Sequence, residues 1–330
     1  MSSAHARHGI HDPTHSTPPR APRSIRRTST IDMLRPDGLL GDVVLVGRAR
    51  DLATGASGAA AVRGETSLLA RVAFVPDRRL TALATRPAEP DAASLIGVTT
   101  ASGFRAAVDR AVPAHREARS LLYLLLDDLP VATLVSGYAI GAGGVRMPAR
   151  TTMFRPDLCA GWRTGGTMLV GIETEGQIPT SVGPPAPPLA RADDPLAWHA
   201  FEPLPPHGMR RHRRLDLVHA DGRLVADVLF RDSHADADGF ERIVHEYTVR
   251  TEVDPATLRV AEVDAAARVL PWIECNAAAA SAGRVVGRAL AELRPHVRDA
   301  LKGPSTCTHL NDTLRSLEDV AALAGALRTA

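Results

Sequence analysis

A pattern of two arginines, an aspartate and an Asp-Gly pair occurs twice in this 330-residue chain, and it constrains the fold more than any other feature. The first copy begins at Arg26 and the second at Arg210, which lies 184 positions later. The members that recur at this offset are Arg26, Arg27, Asp32, Asp37 and Gly38, matched by Arg210, Arg211, Asp216, Asp221 and Gly222. Because order and spacing both match, we interpret the chain as an internal duplication of two units of about 115 residues.

The residues around each copy predict β-strands. In the first unit, residues 31–33 and 42–48 flank the Asp-Gly pair, which is typical of a β-hairpin. In the second unit, apolar and polar residues alternate over 241–253, as in a half-buried strand. Helices are predicted over 102–111 and 277–286. We therefore expect an α+β protein with two homologous domains, each a small antiparallel sheet with helices on one face, arranged as a pseudo-dimer.

Composition sets the boundaries of these units. Residues 1–24 contain almost no large apolar side chains, which predicts a disordered tail. The first, degenerate repeat covers 25–140, a Gly- and Pro-rich connector or cap covers 141–206, and the second repeat with the candidate site covers 207–325. Cys159 and Trp162 belong to an unusual stretch, 154–162, which is either a cap over a site or, as we favour, a structured connector.

Charge and apolar patterning exclude several classes of protein. The 39 basic and 37 acidic residues nearly balance at +2, which predicts no binding to nucleic acid. The most apolar stretch, 121–141, is interrupted by Asp127, Asp128 and Pro130, so we expect no membrane span. Three scattered cysteines and the lack of an apolar leader predict a cytoplasmic protein.

The densest group of reactive side chains is the Cys-Thr-His-Leu sequence at 307–310, where a Gly-Pro-Ser turn leads into a predicted helix. The first repeat has Leu121 and Tyr123 at the positions of Cys307 and His309. The thiol and the imidazole are therefore dispensable for building one copy of the fold. This comparison favours a functional site in the second repeat.

Thiolates and imidazoles are the natural protein ligands of zinc and iron. Cys275 stands at a predicted strand-to-helix junction, and His245 points to the apolar face of its strand. We predict a metal site for zinc or iron with the ligands Cys275, Cys307, His309 and His245.

Two other interpretations of these residues stay open. In one, Cys307 is a nucleophile with His309 or His245 as its base, and the candidate catalytic residues are Cys307, Asp312 and Glu246. Side chains two positions apart at a helix start point in different directions, so we expect no direct contact between Cys307 and His309. In the other interpretation, the cysteines are small buried apolar groups and the histidine packs or caps a helix.

Four short motifs of the second repeat resemble a bacterial domain-of-unknown-function family, family 2889. They are Arg213-Arg214-Leu215-Asp216, His245-Glu246-Tyr247, Pro271-Trp272-x-x-Cys275 and Cys307-Thr308-His309-Leu310. The resemblance covers 209–320 and extends through the repeat to 25–130, where the Cys and His positions are missing. It implies a shared fold and brings no established activity.

The layout of the second repeat is also similar to the U-type iron–sulfur scaffold proteins. A hairpin is followed by a cysteine at the start of an Ala-rich helix and by a second cysteine that opens the last helix. Proteins of that type bind zinc or a cluster through three cysteines and an aspartate. Cys275 and Cys307 match two of these positions, and a third cysteine is not evident, so the likeness concerns the fold alone.

Three functional hypotheses follow. The first is a metal-dependent enzyme that acts on a small apolar acid or thioester in bacterial catabolism, and the aliphatic residues 121–126 motivate the apolar ligand. The second is an accessory protein that handles metal or iron–sulfur clusters. The third is a non-catalytic subunit or ligand-binding module. The sequence does not predict an oligomeric state.

Overall fold

The computed structural model describes residues 8–145 and 155–328. Within these residues, eight strands form one antiparallel sheet in the order β4-β3-β2-β1-β5-β6-β7-β8. The strands are β1 (Ser24–Leu34), β2 (Val43–Thr54), β3 (Ala60–Ala73), β4 (Arg79–Arg86), β5 (Met209–Ala220), β6 (Arg223–Ala235), β7 (Glu241–Val253) and β8 (Val260–Val269). The sheet and its helices confirm the predicted α+β class.

The helices follow the strands in each half of the chain. The α-helices are α1 (Phe104–Ala111), α2 (Pro113–Glu117), α3 (Leu121–Val135), α4 (Tyr138–Ala142), α5 (Thr167–Glu175), α6 (Leu293–Ala300), α7 (Thr308–Ser316) and α8 (Asp319–Leu327). Short 3₁₀ helices cover Pro90–Leu95, Ala160–Trp162, Ile273–Val285 and Leu290–Glu292.

The helix predicted over 277–286 is a 3₁₀ helix, Ile273–Val285. Its buried residues include Cys275, Ala278 and Ser281, which are spaced by three positions. This spacing places them on one face at three residues per turn. The small Ala and Ser side chains let this helix pack closely, and Cys275 is carried into the core.

The two halves of the chain meet at the central strand pair, where β1 and β5 are antiparallel neighbours. In this register Arg26 pairs with Asp216, and Asp32 pairs with Arg210. The four-stranded halves therefore form one continuous sheet rather than two separate ones. Each half keeps its own hydrophobic cluster on the helix-covered face, one around Leu314 and the other around α3.

Alternation along the strands gives the sheet two different faces. The helices cover one face. Residues of the connector cover the other face at the junction of the halves, where both ring nitrogens of His199 lie 2.9 Å from the hydroxyls of Thr28 and Thr30. Residues 146–154 of the predicted connector, and with them Phe154, lie outside the described residues.

The prediction of a disordered tail over residues 1–24 is wrong for the part that the structure describes. Thr17 is buried, donates to the Leu189 carbonyl at 2.7 Å and accepts from Trp198 Nε1 at 2.8 Å. Arg20 donates to both carboxylate oxygens of Asp194. Few apolar groups are needed here, because the sheet and the connector supply hydrogen-bond partners. Residues 1–7 lie outside the described residues.

The helical stretch Leu121–Ala142 is long and apolar enough to cross a membrane by length and composition. However, 67% of its apolar window is buried inside the protein, as in the core helix of a soluble fold. Ser120 caps α3 by accepting from the backbone N–H of Tyr123, and the helix packs against β2 and β3. Its aspartates, Asp127 and Asp128, form buried ion pairs with arginines.

Candidate functional site

The start of α7 brings a thiol and an imidazole into contact. Cys307 is the N-cap residue, with extended backbone angles of φ −127° and ψ 130°, and His309 lies in the first turn. The Cys307 Sγ atom lies 3.7 Å from Nδ1 of His309. Our expectation of no direct contact is wrong, because the N-cap residue is not yet helical and its side chain is free of the helical geometry that separates neighbours.

Two adjacent strands place an aspartate and a second histidine against this helix start. Asp232 on β6 and His245 on β7 are cross-strand partners, so both side chains lie on the helix-covered face. The rings of His245 and His309 are stacked, with centroids 3.6 Å apart and planes 19° apart. Nε2 of His309 lies 3.7 Å from Oδ2 of Asp232. Together the three residues offer one ligand atom each within 4.8 Å of one another.

Arg211 fixes the Asp232 carboxylate in place. Its Nε and Nη2 atoms each donate to one carboxylate oxygen at 2.9 Å. The pair is fully buried, and the free Nη1 atom of Arg211 lies 3.6 Å from Asp128 and 3.5 Å from Asp312. A buried bidentate pair is rigid, so the orientation of Asp232 is set before any ligand arrives.

Both histidines are neutral at physiological pH. Burial, followed by the charge of Arg211, lowers the pKa of His309 to about 3. Burial also lowers the pKa of His245 well below its ordinary value, with His309 as the next cause. Nδ1 of His245 and Nε2 of His309 are buried and have no hydrogen-bond partner among the described residues. Neutral imidazoles with such nitrogens are in the form that binds metal ions.

All three cysteines of the chain converge on this place, and all are free. Cys159 faces the backbone N–H of Thr308, and a Cβ added at Gly161 would lie 3.0 Å from the Cys275 sulfur. Burial, and then the proximity of Cys159, raises the pKa of Cys307 to about 11. These thiols are therefore protonated at neutral pH unless a cation approaches them.

Among the residues proposed from sequence, His309 contacts both Cys307 and His245. Cys275 lies close enough to Cys307 for its own pKa to be raised further. Asp312 lies behind His309, where its carboxylate accepts from Arg105 at 2.7 Å. Burial alone would raise the pKa of Asp312, but Arg105 and Arg211 lower it to about 2. Asp312 is thus a charged neighbour of the cluster.

Glu246 does not belong to this cluster, and its prediction as a catalytic residue is corrected. It follows His245 in β7, and successive side chains of a strand point to opposite faces. Glu246 is fully buried on the other face, where it accepts from Arg231 at 2.5 Å and from the backbone N–H of Thr14 at 2.6 Å. The sheet separates it from the thiol.

Sequence reasoning missed two members of the cluster, Asp232 and Cys159. The aspartate itself was a visible signal, because a charge at a buried strand position needs a partner or a function. Its position opposite His245 depends on the pairing of β6 with β7, including a register shift beside Asp232. Cys159 reaches the site through a loop contact, in which the N–H of Ala160 donates to the Thr306 carbonyl at 2.8 Å. No local pattern encodes that contact.

The fold and the cluster define an α+β protein that holds a buried group of carboxylate, imidazole and thiol side chains where α7 begins above strands β6 and β7. Residues 209–323 match the family model of DUF2889, described as a protein of unknown function. This match supports the resemblance predicted from the motifs, and it includes every residue of the cluster except Cys159. No curated protein and no solved structure matches the chain.

Proposed function

We propose that this protein binds one zinc or iron ion through Asp232, His245 and His309, with Cys307 as a further ligand. The observation that carries the proposal is a set of three ligand atoms within 4.8 Å, in which each imidazole has a buried nitrogen without a partner. An unpaired buried polar group costs about 1–3 kcal/mol. A metal ion would remove that cost for both imidazoles once the stacked rings turn so that each nitrogen points at the ion in its own ring plane.

The ligand types suit zinc or iron better than magnesium or calcium. Imidazole and thiolate are soft or borderline ligands, whereas the hard cations prefer oxygen. Arg211 would act as the supporting partner of the Asp232 ligand, since carboxylates that bind metals are themselves hydrogen-bonded. Cys275 lies beside Cys307 and is available as an alternative thiol ligand.

We propose further that the ion serves an enzymatic reaction on a small apolar acid or thioester. With Cys307 as the fourth ligand, water or a substrate oxygen would enter as a fifth ligand or in place of the thiol, since catalytic zinc sites keep a position for it. Such an ion polarises a carbonyl or lowers the pKa of its bound water. The partial exposure of His245 and His309 supports access from solvent. A metal-handling accessory protein would use the same ligands, but it would release the ion to an acceptor rather than turn over a substrate.

A second candidate is nucleophilic catalysis by Cys307. The observation that favours it is the order of side chains, in which His309 lies 3.7 Å from the thiol on one side and 3.7 Å from Asp232 on the other. A nucleophile, a base and a residue that orients the base form the same order in known hydrolases. The raised pKa of Cys307 argues against this candidate, because a reactive thiol normally has a lowered pKa.

We propose that the chain arose by duplication and that its halves form a pseudo-dimer around β1 and β5. Reciprocal ion pairs support this, because Arg26 binds Asp216 while the equivalent Arg210 binds Asp32. A two-fold axis between two copies would produce this reciprocity. In this account, the first half kept the fold and lost the cysteine and histidine.

We also propose a cytoplasmic location. The three buried cysteines are free, and the proposed site uses at least one of them as a thiolate. Reduced thiols persist in a reducing compartment. Labelling the periplasmic or extracellular proteins of the native cell would detect this protein if the proposal were wrong.

Cobalt substitution tests the proposed site. Cobalt(II) replaces zinc in sites of low coordination number, and a thiolate ligand adds a charge-transfer band. The purified chain should give intense visible bands with cobalt, Cys307→Ser should lose the charge-transfer band alone, and His309→Gln should lose both. His219→Gln, at an exposed position of β5, is the matched control and should behave as wild type. A weak octahedral spectrum in the wild type would rule out the proposed ligands.

A further inference from the structure

A cavity of about 690 Å³ opens on the helical side of the protein, between its two halves. Residues of α1 and α3 form its wall on one side, and residues of α6 and α7 form the other. None of the residues of the Asp232, His245, His309 and Cys307 cluster lines it. The cavity is therefore a separate place in the molecule, with its own chemistry.

Positive charge dominates the lining of this cavity. Seven of the lining residues are arginines, and three are acidic. Three of the arginines surround the single carboxylate of Asp127, with Arg294 at 2.8 Å, Arg315 at 3.0 Å and Arg105 at 3.5 Å. One carboxylate cannot neutralise three guanidinium groups. Glu318 also pairs with Arg294 and Arg119, and Asp312 also pairs with Arg105, whereas Arg315 has no ion pair other than that with Asp127 among the described residues.

Arg315 is the least compensated of these arginines. Its recorded ion pair is with Asp127, which it shares with the other two. Its Nε atom is buried and has no hydrogen-bond partner among the described residues. Burial lowers the pKa of Arg315 despite the opposing charge of Asp127, and the nearby Arg105 and Arg294 lower it further. A guanidinium in this state attracts an oxyanion, to which it can donate two parallel hydrogen bonds.

Part of the opposite wall is apolar. Pro130, Val131 and Leu134 of α3 line the cavity, and Leu134 is 58% exposed to solvent. An anion with a purely polar body would leave this wall in water. A ligand with an apolar body would cover it.

We infer that this cavity binds a small organic anion, with its carboxylate or phosphate group at Arg315 and its apolar body against Pro130, Val131 and Leu134. This inference does not depend on the proposed metal site. Both kinds of ligand consist of an oxyanion joined to a short apolar chain. Experiment distinguishes whether the head group is a carboxylate or a phosphate.

Calorimetric titration of the full chain with four probes tests the inference: hexanoate, hexyl phosphate, inorganic phosphate and hexanol. We expect hexanoate or hexyl phosphate to bind with a Kd below about 1 mM. Inorganic phosphate should bind at least about tenfold more weakly than the better of these, since it lacks the apolar body. Hexanol should not bind measurably. The tighter of the two hexyl probes identifies the head group.

Two variants locate the binding site. Arg315→Gln removes the proposed anchor and should weaken binding at least about tenfold, as expected for a lost charge-assisted pair. Leu134→Glu adds a negative charge at an exposed position of the mouth and should weaken binding about fivefold or more without affecting the fold. Arg250→Gln, at an exposed position of β7, and His309→Gln should bind as wild type.

Several results would overturn the inference. The first is that neither hexyl probe binds at about 10 mM. The second is that hexanol binds as well as hexanoate, or that inorganic phosphate binds as well as hexyl phosphate. The third is that binding is unchanged in both Arg315→Gln and Leu134→Glu. Loss of metal binding in His309→Gln with normal hexanoate binding would leave the inference standing, so the two proposals fail separately.

Discussion

Arg26 donates two hydrogen bonds to the carboxylate of Asp216, at 2.5 and 2.9 Å, across the central strand pair. Arg210 binds Asp32 in the same way towards the other end of the strand pair, with Nη2 at 2.9 Å from Oδ2. Both arginines are almost completely buried. These two ion pairs reinforce the β1–β5 backbone pairing that joins the two halves of the chain into one sheet.

The reciprocal pairs predict a large loss of stability when either aspartate is neutralised. Asp32→Asn and Asp216→Asn each leave a buried arginine without its full partner, which should reduce the free energy of unfolding by about 3–5 kcal/mol. Urea denaturation followed by circular dichroism measures the change. Asp221→Asn, in the exposed turn between β5 and β6, is the control and should change stability by less than about 0.5 kcal/mol. A large loss in only one of the two variants would contradict the equivalence.

The free energy of unfolding should depend on pH through His309. Its pKa is about 3 in the folded chain against an ordinary value of 6.5. Between these values the unfolded chain binds a proton at this residue that the folded chain does not, so stability falls as the pH falls. The expected slope is about 1.4 kcal/mol per pH unit for this one residue.

Metal-free protein should be used for this measurement, because a bound ion would compete with protons. From about pH 6 to 4.5, the slope in His309→Gln should be smaller than in wild type by about 1.4 kcal/mol per unit. His219→Gln should keep the wild-type slope, since His219 is exposed. Equal slopes in wild type and His309→Gln would mean that the imidazole is accessible to protons in the native protein.

Thiol reactivity distinguishes a metal ligand from a nucleophile at Cys307. Burial raises the pKa of this thiol to about 11, so iodoacetamide at neutral pH should modify it slowly in the native chain. In guanidinium, all three cysteines should react at the rate of free cysteine. Rapid native modification of Cys307 that is lost in His309→Gln would favour the nucleophile instead. Peptide mapping by mass spectrometry reports each cysteine separately.

Local patterns were sufficient to predict several elements of this fold. The Asp-Gly turns and the alternation over 241–253 correspond to β1–β2, β5–β6 and β7, because hairpins and half-buried strands depend on neighbouring residues. The pairing of β1 with β5 could not be predicted, because it joins strands separated by most of the chain. The order of residues 8–24 was missed for the same reason, since Thr17 is held by the distant Leu189 and Trp198.

The sequence predicted only those site residues that can be recognised from their neighbours in the chain. Cys307 and His309 were visible as a motif, and His245 as a polar residue on an apolar face. Asp232 requires the strand register, and Cys159 requires the fold of a loop that contacts residue Thr306. Glu246 was wrongly predicted to be catalytic. It adjoins His245 in the sequence, but only the side chain of His245 points to the face of the sheet that carries the site.

The metal content of the purified chain tests the central claim most directly. After reconstitution with zinc or iron(II) and removal of loosely bound ions, elemental analysis should find about one ion per chain in wild type and in His219→Gln. His309→Gln and Asp232→Asn should retain less than about a tenth of that, with circular dichroism to confirm that both are folded. A wild-type chain that holds no zinc or iron, or folded variants that hold as much as wild type, would contradict the account.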